Sequence, residues 1–440
     1  MKGEGMTSRN ILAAALLSFA VITTARPAHA DRLDDLGQKI DALTNEMERL
    51  KLGEAAEPEL ISIEGFAPAA SKVYQKGNKQ VSVGGYGEMI YESFDQVKQN
   101  GDRSNKKDKI DFLRAILYVG YKYNDWITLN SEIEFEHATS GKNGEVGLEM
   151  LTLDLKPWDF LGFRTGLLLV PMGLTNEFHE PTTFHGVKRP NTESKIIPTT
   201  WRSNGIGIFG KIGPVRYKSY AVASLQAIAN NGNSKVSGFT SGGFRGGRTK
   251  GSKSIANSWA WVTRLDVSPV EGTLVGTSLY TGRVDQRASN APVSLTMWDF
   301  HGKAEYKGLE VKALYVFTRL SNVASLNAAQ AKQGVDTSGN KSIGESTFGG
   351  YAEVAYDVFR WLPNANGHRL SPFFRYERYD TQNTVPDNLT VNPANSHTEY
   401  TLGVTYKPIS SVVFKFDHQF LHNQANTGVG QTNLGFGYIF

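Results

Sequence analysis

Hydrophobic and polar positions alternate with a period of two along most of the chain after residue 80. Successive side chains of a β-strand point to opposite faces of a sheet, so each alternating segment predicts a strand with one apolar and one polar face. The clearest segment, 126–136, sets Ile127, Leu129, Ile133 and Phe135 against Thr128, Asn130, Glu132, Glu134 and Glu136. The same alternation returns in 309–319, 397–407 and 411–422.

Sixteen segments of this kind are predicted as strands. They cover residues 80–95, 107–124, 126–138, 145–157, 159–170, 201–212, 214–229, 259–268, 272–284, 293–306, 309–321, 346–360, 369–380, 397–408, 411–422 and 431–440. The connections are alternately short and long, which is typical of short periplasmic turns and long extracellular loops. The sequence therefore predicts an all-β fold, a transmembrane antiparallel β-barrel of about 16 strands over residues 80–440, with 14 or 18 strands left open.

The end of the chain favours the same interpretation. Leu434, Phe436, Tyr438 and Phe440 occupy alternate positions, similar to the C-terminal strand of bacterial outer-membrane proteins. An ordinary last strand and a soluble β-sandwich are the alternatives. A sandwich would put large apolar residues on the facing sides of both sheets, whereas one face of these segments carries charge. An even number of strands would place both termini on the periplasmic side.

Three segments are expected before the barrel. Residues 1–30 have the basic start, apolar stretch and Ala-His-Ala end of a secretory signal peptide, with an uncleaved anchor as the alternative. Residues 31–52 show heptad spacing, which predicts a short coiled-coil helix that mediates oligomerisation through Leu33, Leu36, Ile40, Leu43, Met47 and Leu50. The membrane context favours three helices over two, and a helix lying on its own domain is the alternative. Residues 53–79 lack a clear period and are expected to be a linker.

Composition and charge narrow the chemistry. The 440 residues include no cysteine, which excludes disulfides, thiolate metal sites, iron–sulfur clusters and cysteine nucleophiles. The formal net charge of +4 is too small to indicate nucleic acid by itself. It divides into +2 on residues 1–30, −5 on residues 31–60 and +7 on the remainder. The predicted barrel is thus modestly basic, which favours anions as solutes.

The long connection at residues 171–200 is the candidate constriction. A barrel of about sixteen strands leaves a water-filled channel, which a loop folded into it would narrow. The segment holds four of the sixteen prolines, which restrict the backbone and favour a defined path. A surface lid that never enters the channel is the alternative.

Pore and constriction residues are expected from this loop and from the polar faces of the strands. The candidates are Lys188, Arg189, Lys195, Arg202, Arg164, Arg114, Lys218, Glu132, Glu134 and Glu136. Rows of both signs would produce a transverse field across the channel. Basic side chains in a pore also pair with neighbouring carboxylates, and this alternative stays open for each of them.

One stretch of the chain resembles a known family. Arg189-Pro190, the run 195–202 (KIIPTTWR) and the run 205–210 (GIGIFG) are similar to segments of the phosphate-selective porin O and P family and of related trimeric substrate-specific porins. The run 84–88 (GGYGE) adds to the likeness, and residues 31–52 resemble the N-terminal coiled coil of the dicarboxylate-type members. The resemblance implies a sixteen-stranded homotrimer that lets small, mostly anionic solutes cross an outer membrane.

The sequence therefore predicts an outer-membrane porin, a homotrimer surrounded by outer-membrane lipid, for passive diffusion of small hydrophilic and preferentially anionic solutes such as phosphate or carboxylates. No cofactor, metal or nucleic-acid partner is predicted. His418 and His422 would lie roughly 13 Å apart on a strand, too far to share an ion. The acid-free run 238–253 would suggest nucleic-acid binding in a cytoplasmic protein, but in an exported barrel it favours a flexible external loop, with anion capture or contact with anionic lipid headgroups as the alternative. A structural or envelope-tethering barrel and a barrel enzyme are the alternatives, although the sequence has no Gly-x-Ser-x-Gly frame for a nucleophile.

Overall fold

A computed structural model describes residues 61–138, 144–231, 236–362 and 365–440 of the chain. Within these residues, sixteen antiparallel strands pair in sequence order, and the last strand pairs with the first to close a barrel. The predicted fold class is therefore confirmed. No helix among the described residues is long and apolar enough to cross a membrane. The predicted signal peptide (1–30) and coiled-coil helix (31–52) lie outside the described residues.

The strands begin and end close to the predicted positions. In chain order they are β1 (Gln80–Phe94), β2 (Lys109–Lys122), β3 (Ile127–Glu136), β4 (Val146–Trp158), β5 (Leu161–Leu169), β6 (Arg202–Ile212), β7 (Val215–Ala223), β8 (Trp259–Val267), β9 (Thr273–Arg283), β10 (Ser294–Tyr306), β11 (Leu309–Leu320), β12 (Ser346–Tyr356), β13 (Arg369–Thr384), β14 (Ser396–Ile409), β15 (Val412–Asn423) and β16 (Gln431–Ile439). The connections hold helices α1 (Thr192–Lys195) and α2 (Val323–Lys332), and short 3₁₀ turns at Lys72–Gln75, Arg245–Gly247, Gly339–Lys341, Val358–Trp361 and Pro393–Asn395.

The two faces of the wall differ as the alternation predicts. On β15, Phe414 and Phe416 are exposed, whereas Lys415 and Asp417 next to them are buried. β11 repeats the pattern from Leu309 to Leu320. Because the buried face is covered by segments of the same chain, it is the inner face of the barrel, and the exposed apolar rows form its outside.

The barrel closes where the first strand meets the last residues. The amide of Phe440 donates to the carbonyl oxygen of Gly85 at 2.9 Å, and the amide of Gly85 donates to that of Phe440 at 3.0 Å. A Cβ at Gly85 would lie 2.3 Å from the carbonyl oxygen of Ile116, so this close approach of three strands requires glycine. Two sequence signals, the GGYGE run and the aromatic C-terminus, thus meet at one seam.

Two strands end four or more residues before the predicted position. β7 ends at Ala223, whereas the prediction continued to 229, because the following residues leave the wall and turn inward. There the amide of Leu225 donates to the hydroxyl of Tyr280 at 3.1 Å, and Leu225 is buried. β12 ends at Tyr356 because Asp357 caps a 3₁₀ turn by accepting from the amide of Phe359 at 3.2 Å. In both cases the apolar residues that follow the strand continue its alternation in the sequence although they lie outside the wall.

A hydrophobic cluster fills one side of the barrel interior. Wall side chains from β5 to β13 contribute, among them Tyr220, Tyr280 and Val316. Connections that fold inward complete it, with Trp201 after the candidate constriction loop and Phe239 between β7 and β8. Buried polar and charged residues of the inner face occur all round the barrel, on β1–β4 and β13–β16 and also on the strands of the cluster, as with Arg164, Lys218, Arg264 and Asp299.

Residues 61–79 do not form the linker expected at 53–79; they pack against the inner face of the wall. Phe66 is 1% exposed and lies under the guanidinium carbon of Arg164, which is 4.4 Å from the ring centroid. The hydroxyl of Tyr74 donates to Asp154 at 2.8 Å, and the carbonyl of Ala70 accepts from the side-chain amide of Asn130. The prediction failed because these contacts lie 60 or more residues away and leave no period in the sequence.

The run 238–253 is also packed, contrary to the expectation of a flexible external loop. Phe239 and Phe244 are at most 1% exposed, and their ring centroids lie 4.8 Å apart. The two aromatic side chains bury the glycine-rich run against the hydrophobic cluster. Of its basic residues, Arg248 is held against Thr200, whereas Arg245 and Lys253 are exposed.

Asn176 ties together the two ends of the long connection at 171–200. Its side-chain amide donates to the carbonyl oxygens of Val170 at 2.8 Å and Trp201 at 2.9 Å. Its carbonyl oxygen accepts from the amide of Trp201 at 2.8 Å. Asn176 is 2% exposed, so the connection leaves and rejoins the wall at one closed, buried base.

We expect Asn176→Ala to destabilise the protein. The change leaves the buried amide of Trp201 without its partner, which costs about 1–3 kcal/mol, and removes two further hydrogen bonds to carbonyl oxygens that keep the amides of Met172 and Val170. The free energy of unfolding, measured by urea titration of the purified protein in detergent with tryptophan fluorescence as the readout, should fall by about 3 kcal/mol. Asn100→Ala, in an exposed loop, is the matched control and should change it by less than about 0.5 kcal/mol. If the two substitutions lower the free energy of unfolding equally, Asn176 does not stabilise the protein by closing the base of the loop.

Candidate functional site

The connection between β5 and β6, which we call the long loop (171–200), is held by side chains of the opposite wall. Nζ of Lys415 donates to the carbonyl oxygen of Phe184 at 2.8 Å, and Nζ of Lys407 donates to that of Thr182 at 2.7 Å. The carboxylate of Asp417 accepts from a backbone amide of the loop at 2.5 Å. Strands eight apart in a ring of sixteen face each other, so these contacts with β14 and β15 span the width of the barrel.

Further contacts fix the second half of the long loop. The amide of Thr192, at the start of α1, donates to Glu377 at 3.0 Å, and the side chain of Asn191 donates to Glu399 at 2.7 Å. Arg375 donates to the carbonyl oxygen of Lys188 at 3.3 Å. The loop backbone thus supplies hydrogen-bond partners to charged wall residues, which stabilises both.

The first half of the loop is held by Glu193 of its second half. Its carboxylate accepts from the amides of Leu174 and Thr175, each at 2.8 Å, and from the hydroxyl of Tyr351 at 2.7 Å. Burial raises the pKa of Glu193, and these hydrogen bonds oppose that shift. The two halves of the loop are therefore hydrogen-bonded to each other as well as to the wall.

The three basic residues predicted on the loop differ in their partners. Lys188 forms an ion pair with Glu92 of β1, and its side chain is still 38% exposed. Arg189 donates to the hydroxyl of Thr199 at 2.7 Å, and Lys195 is exposed at the end of α1. In the part of the chain that the structure describes, neither Arg189 nor Lys195 has an ion-pair partner.

Arg189 lies close to the basic wall residue Arg114. Burial lowers the pKa of Arg189, and the nearby charge of Arg114 lowers it further. Arg114 itself is paired, since its Nε lies 2.6 Å from Oε1 of Glu88. Two guanidinium groups therefore share one region, with one carboxylate bound directly to Arg114.

Arg202 and Arg248 extend the basic region. Arg202, the first residue of β6, donates to Oε1 of Glu149 at 2.8 Å. Arg248 donates to Thr200 beside it, at 2.6 Å to the hydroxyl, and burial together with the charges of Arg245 and Arg202 lowers its pKa to about 10. Arg245 and Arg248 were not among the predicted pore residues, because the acid-free run 238–253 that holds them was expected to be an external loop, with anion capture only as the alternative.

The predicted acidic residues lie on one face of β3. Glu132 and Glu134 are buried, and Glu136 at the end of the strand is partly exposed. Oε1 of Glu132 lies 3.0 Å from Nε2 of His179, which the sequence analysis did not select. Burial alone would lower the pKa of His179, but the carboxylates of Glu132 and Glu149 outweigh it and raise the pKa to about 9.

Arg164 and Lys218 lie apart from this region. Arg164 is 2% exposed, forms two hydrogen bonds of 2.7 Å with Asp154, and is covered by Phe66. Lys218 is paired with Glu177 at 2.5 Å. Their charges are neutralised beneath residues 61–79, so their position does not fit the solute contacts expected of them.

A cavity of about 360 Å³ opens beside these covered residues. Ser62, Gly65, Lys218 and Asp266 are among its lining residues, as is Gly272 from the short turn between β8 and β9. Residues 61–65 therefore reach the interior at the end of the barrel that carries the short turns. The basic region around Arg189 can attract and coordinate anions, and residues 61–79 can restrict access to it from the short-turn end.

Comparison with known proteins gives one relative in sequence. No family model matches the chain. An uncharacterized protein of Aquifex aeolicus strain VF5 is 32% identical over 357 residues, which cover 80% of this chain and 78% of that protein. The phosphate-selective porin O and P family is not identified by these comparisons, so that finer assignment stays a prediction.

Solved outer-membrane proteins share the fold at low sequence identity. OmpF of Salmonella typhi, in a complex with daunomycin, has a TM-score of 0.52 at 11% identity, covering 82% of this chain and 98% of its own. A loop-deleted OmpT of Vibrio cholerae has a TM-score of 0.51 at 12% identity, with 82% and 99% covered. An anion-selective porin from Comamonas acidovorans has a TM-score of 0.50 at 12% identity, with 82% and 100% covered.

The structural matches agree on the architecture of the chain, a porin-type barrel of sixteen strands. The sequence match extends over four fifths of the chain at 32% identity. This chain therefore belongs to the same protein family as the Aquifex aeolicus protein.

Proposed function

We propose that this protein is an outer-membrane porin through which small hydrophilic, preferentially anionic solutes such as phosphate or carboxylates diffuse passively. The observation that carries the proposal is the long loop, which is bound across the barrel and holds Arg189 and Lys195 without ion-pair partners among the described residues. In this proposal the loop folds inward and narrows a water-filled channel, and its cations set the preference for anions.

The balance of charge around the loop supports a preference for anions. Three carboxylates near the loop are paired with basic side chains: Glu88 with Arg114, Glu149 with Arg202 and Glu92 with Lys188. Glu132 faces His179 instead. Arg189, Lys195 and the exposed Arg245 add positive charge beyond these pairs. A cleft with one excess sign of charge and low-dielectric walls raises the local concentration of the opposite ion.

Position within the barrel also supports a channel on this side. The hydrophobic cluster packs against strands from β5 to β13. The charged residues of β1 to β4 and the exposed face of the long loop lie elsewhere, and charged groups need water or ionic partners. A water-filled passage is therefore best placed beside Lys188 and Arg189.

The surroundings of the channel follow from the same proposal. The signal peptide at 1–30 directs export, the barrel lies in outer-membrane lipid, and the coiled-coil helix at 31–52 lies in the periplasm and joins three copies. Residues 61–65 enter the barrel at the end with the short turns, which is the periplasmic end in barrels of this type. One structural neighbour is an anion-selective porin, which agrees with the proposed cargo.

The first test is single-channel recording in planar bilayers. The purified protein should give discrete conductance steps and a reversal potential that favours anions under a salt gradient. Replacing Lys188, Arg189 and Lys195 together with alanine should reduce the anion-to-cation permeability ratio by about 3–10-fold, because three charges of one sign are removed from the constriction. Absence of discrete steps would contradict the channel itself.

A matched triple variant controls for net charge. Lys307, Lys332 and Lys341 are exposed and lie outside the long loop, so changing all three to alanine removes the same charge elsewhere. This variant should keep the permeability ratio of the unchanged protein within a factor of about two. If both triple variants behave alike, the long loop does not set selectivity.

Deletion of residues 31–52 tests the coiled-coil helix. We expect loss of trimers on native gels while the conductance of each barrel is retained, because the closed sheet does not depend on these residues. If trimers persist and only attachment to the cell envelope is lost, the helix is a tether instead.

Deletion of residues 31–79 tests the packed segment at 61–79. Compared with deletion of 31–52, it should raise the conductance of each barrel, because Phe66 and Tyr74 no longer occupy the interior and Glu180 loses the amides of Ala69 and Ala70 at 3.0 and 2.9 Å. Equal conductance of the two deletion variants would show that the segment does not restrict the passage.

A further inference from the structure

One histidine and two glutamates meet where the long loop touches β3 and β4. Nε2 of His179 lies 3.0 Å from Oε1 of Glu132 and 3.2 Å from Oε2 of Glu149. All three side chains are at most 2% exposed, and their three ligand atoms lie within 4.8 Å of one another. The residues come from three separate segments of the chain, so their convergence is a property of the fold.

The other ring nitrogen determines how His179 faces the carboxylates. Nδ1 lies 2.8 Å from the backbone carbonyl oxygen of Asn176, which can only accept a hydrogen bond, so Nδ1 carries a proton. In the neutral ring the lone pair of Nε2 then points at Glu132 and Glu149. A lone pair and two carboxylate oxygens repel one another, so a positive species, either a proton on Nε2 or a metal ion, must lie between them.

Unsatisfied oxygen atoms point to the same conclusion. Oε2 of Glu132 is buried and accepts no hydrogen bond from the described residues, whereas Oε2 of Glu149 faces Nε2 of His179 at 3.2 Å. Glu134, two residues further on the same face of β3, adds a third carboxylate, and Arg202 is bound to Glu149 at 2.8 Å. With His179 neutral, these carboxylates face the guanidinium of Arg202 and that of Arg114, which is paired with Glu88, and a cation between the ligand atoms would neutralise the excess negative charge.

We propose that His179, Glu132 and Glu149 bind a divalent transition-metal ion of the zinc class. Imidazole nitrogen and carboxylate oxygen together suit Zn²⁺, whose bonds to these atoms are about 2.0–2.2 Å long. Tetrahedral ligands at that bond length lie about 3.3–3.6 Å apart. The nitrogen–oxygen separations of 3.0 and 3.2 Å approach this spacing. Glu134 can supply a fourth ligand.

The surrounding hydrogen bonds support a preorganised site. The carbonyl of Asn176 orients the imidazole, and Asn176 is itself held by three hydrogen bonds at the loop base. Oε1 of Glu149 is held by Arg202, and the hydroxyl of Tyr118 lies 3.3 Å from Oε1 of Glu132. Such outer partners fix ligand orientation and raise metal affinity. The ion would join the loop to β3 and β4, whether or not the barrel conducts anions.

Equilibrium dialysis of the full-length protein tests the site. The protein is purified in detergent without a polyhistidine tag, stripped with a chelator, and dialysed against Zn²⁺ before elemental analysis. We expect about one zinc ion per chain. His179→Ala and the isosteric Glu132→Gln should each weaken zinc binding by at least about 10-fold. X-ray absorption at the zinc edge should show nitrogen and oxygen ligands at about 2.0–2.2 Å and no sulfur.

His185→Ala is the matched control. His185 is the other histidine of the long loop, with Nε2 3.1 Å from Glu310 and Nδ1 3.2 Å from the hydroxyl of Thr405, and this variant should bind zinc like the unchanged protein. If the unchanged protein binds no zinc, His179 carries a proton instead of a metal ion and the proposal is wrong. Equal losses in the His179 and His185 variants would also overturn it. The difference in gel mobility between unheated and heated samples shows whether each variant is folded.

Discussion

Closure of the sheet at the β1–β16 seam constrains everything inside this barrel. A closed wall directs every second side chain into a confined interior, and many of these side chains are charged. Buried charge is unfavourable unless it is paired or hydrogen-bonded. The chain meets this requirement with backbone as well as side chains: Lys415 and Lys407 donate to loop carbonyls, and Asp417 accepts a loop amide. The long loop therefore supplies hydrogen-bond partners to the buried charges of the wall.

The hydrophobic cluster explains how the loop presents charge. Ile196, Ile197 and Trp201 anchor the end of the loop in the hydrophobic cluster. Arg189 and Lys195 lie between that anchor and the contacts with β14 and β15. Apolar packing fixes the backbone, so these cations need no ion pairs to hold their position. In the proposed channel they remain available to solutes.

The wall could be predicted from the sequence, whereas most of the interior could not. Alternation with a period of two is a local signal, and it located sixteen strands to within a few residues except at the ends of β7, β12 and β13. The contact of Ala69 and Ala70 with Glu180 joins residues about 110 positions apart and has no local signal. The same holds for His179, Glu132 and Glu149, which lie in separate segments and do not have the close sequence spacing that would predict a metal site. The basic run 238–253 was visible, but only tertiary packing shows that it faces the loop.

The density of contacts along the long loop argues against gating by loop movement. Between Asn176 and Glu193 the loop is bound at His179, at three carbonyls that accept from wall lysines, and at Thr192. Any outward swing would break several of these bonds at once and leave buried charges of the wall without partners, at about 1–3 kcal/mol or more for each. A loop held in this way does not move relative to the wall. In the proposed porin, selectivity must then come from the static field of Lys188, Arg189 and Lys195, with access further shaped by residues 61–79.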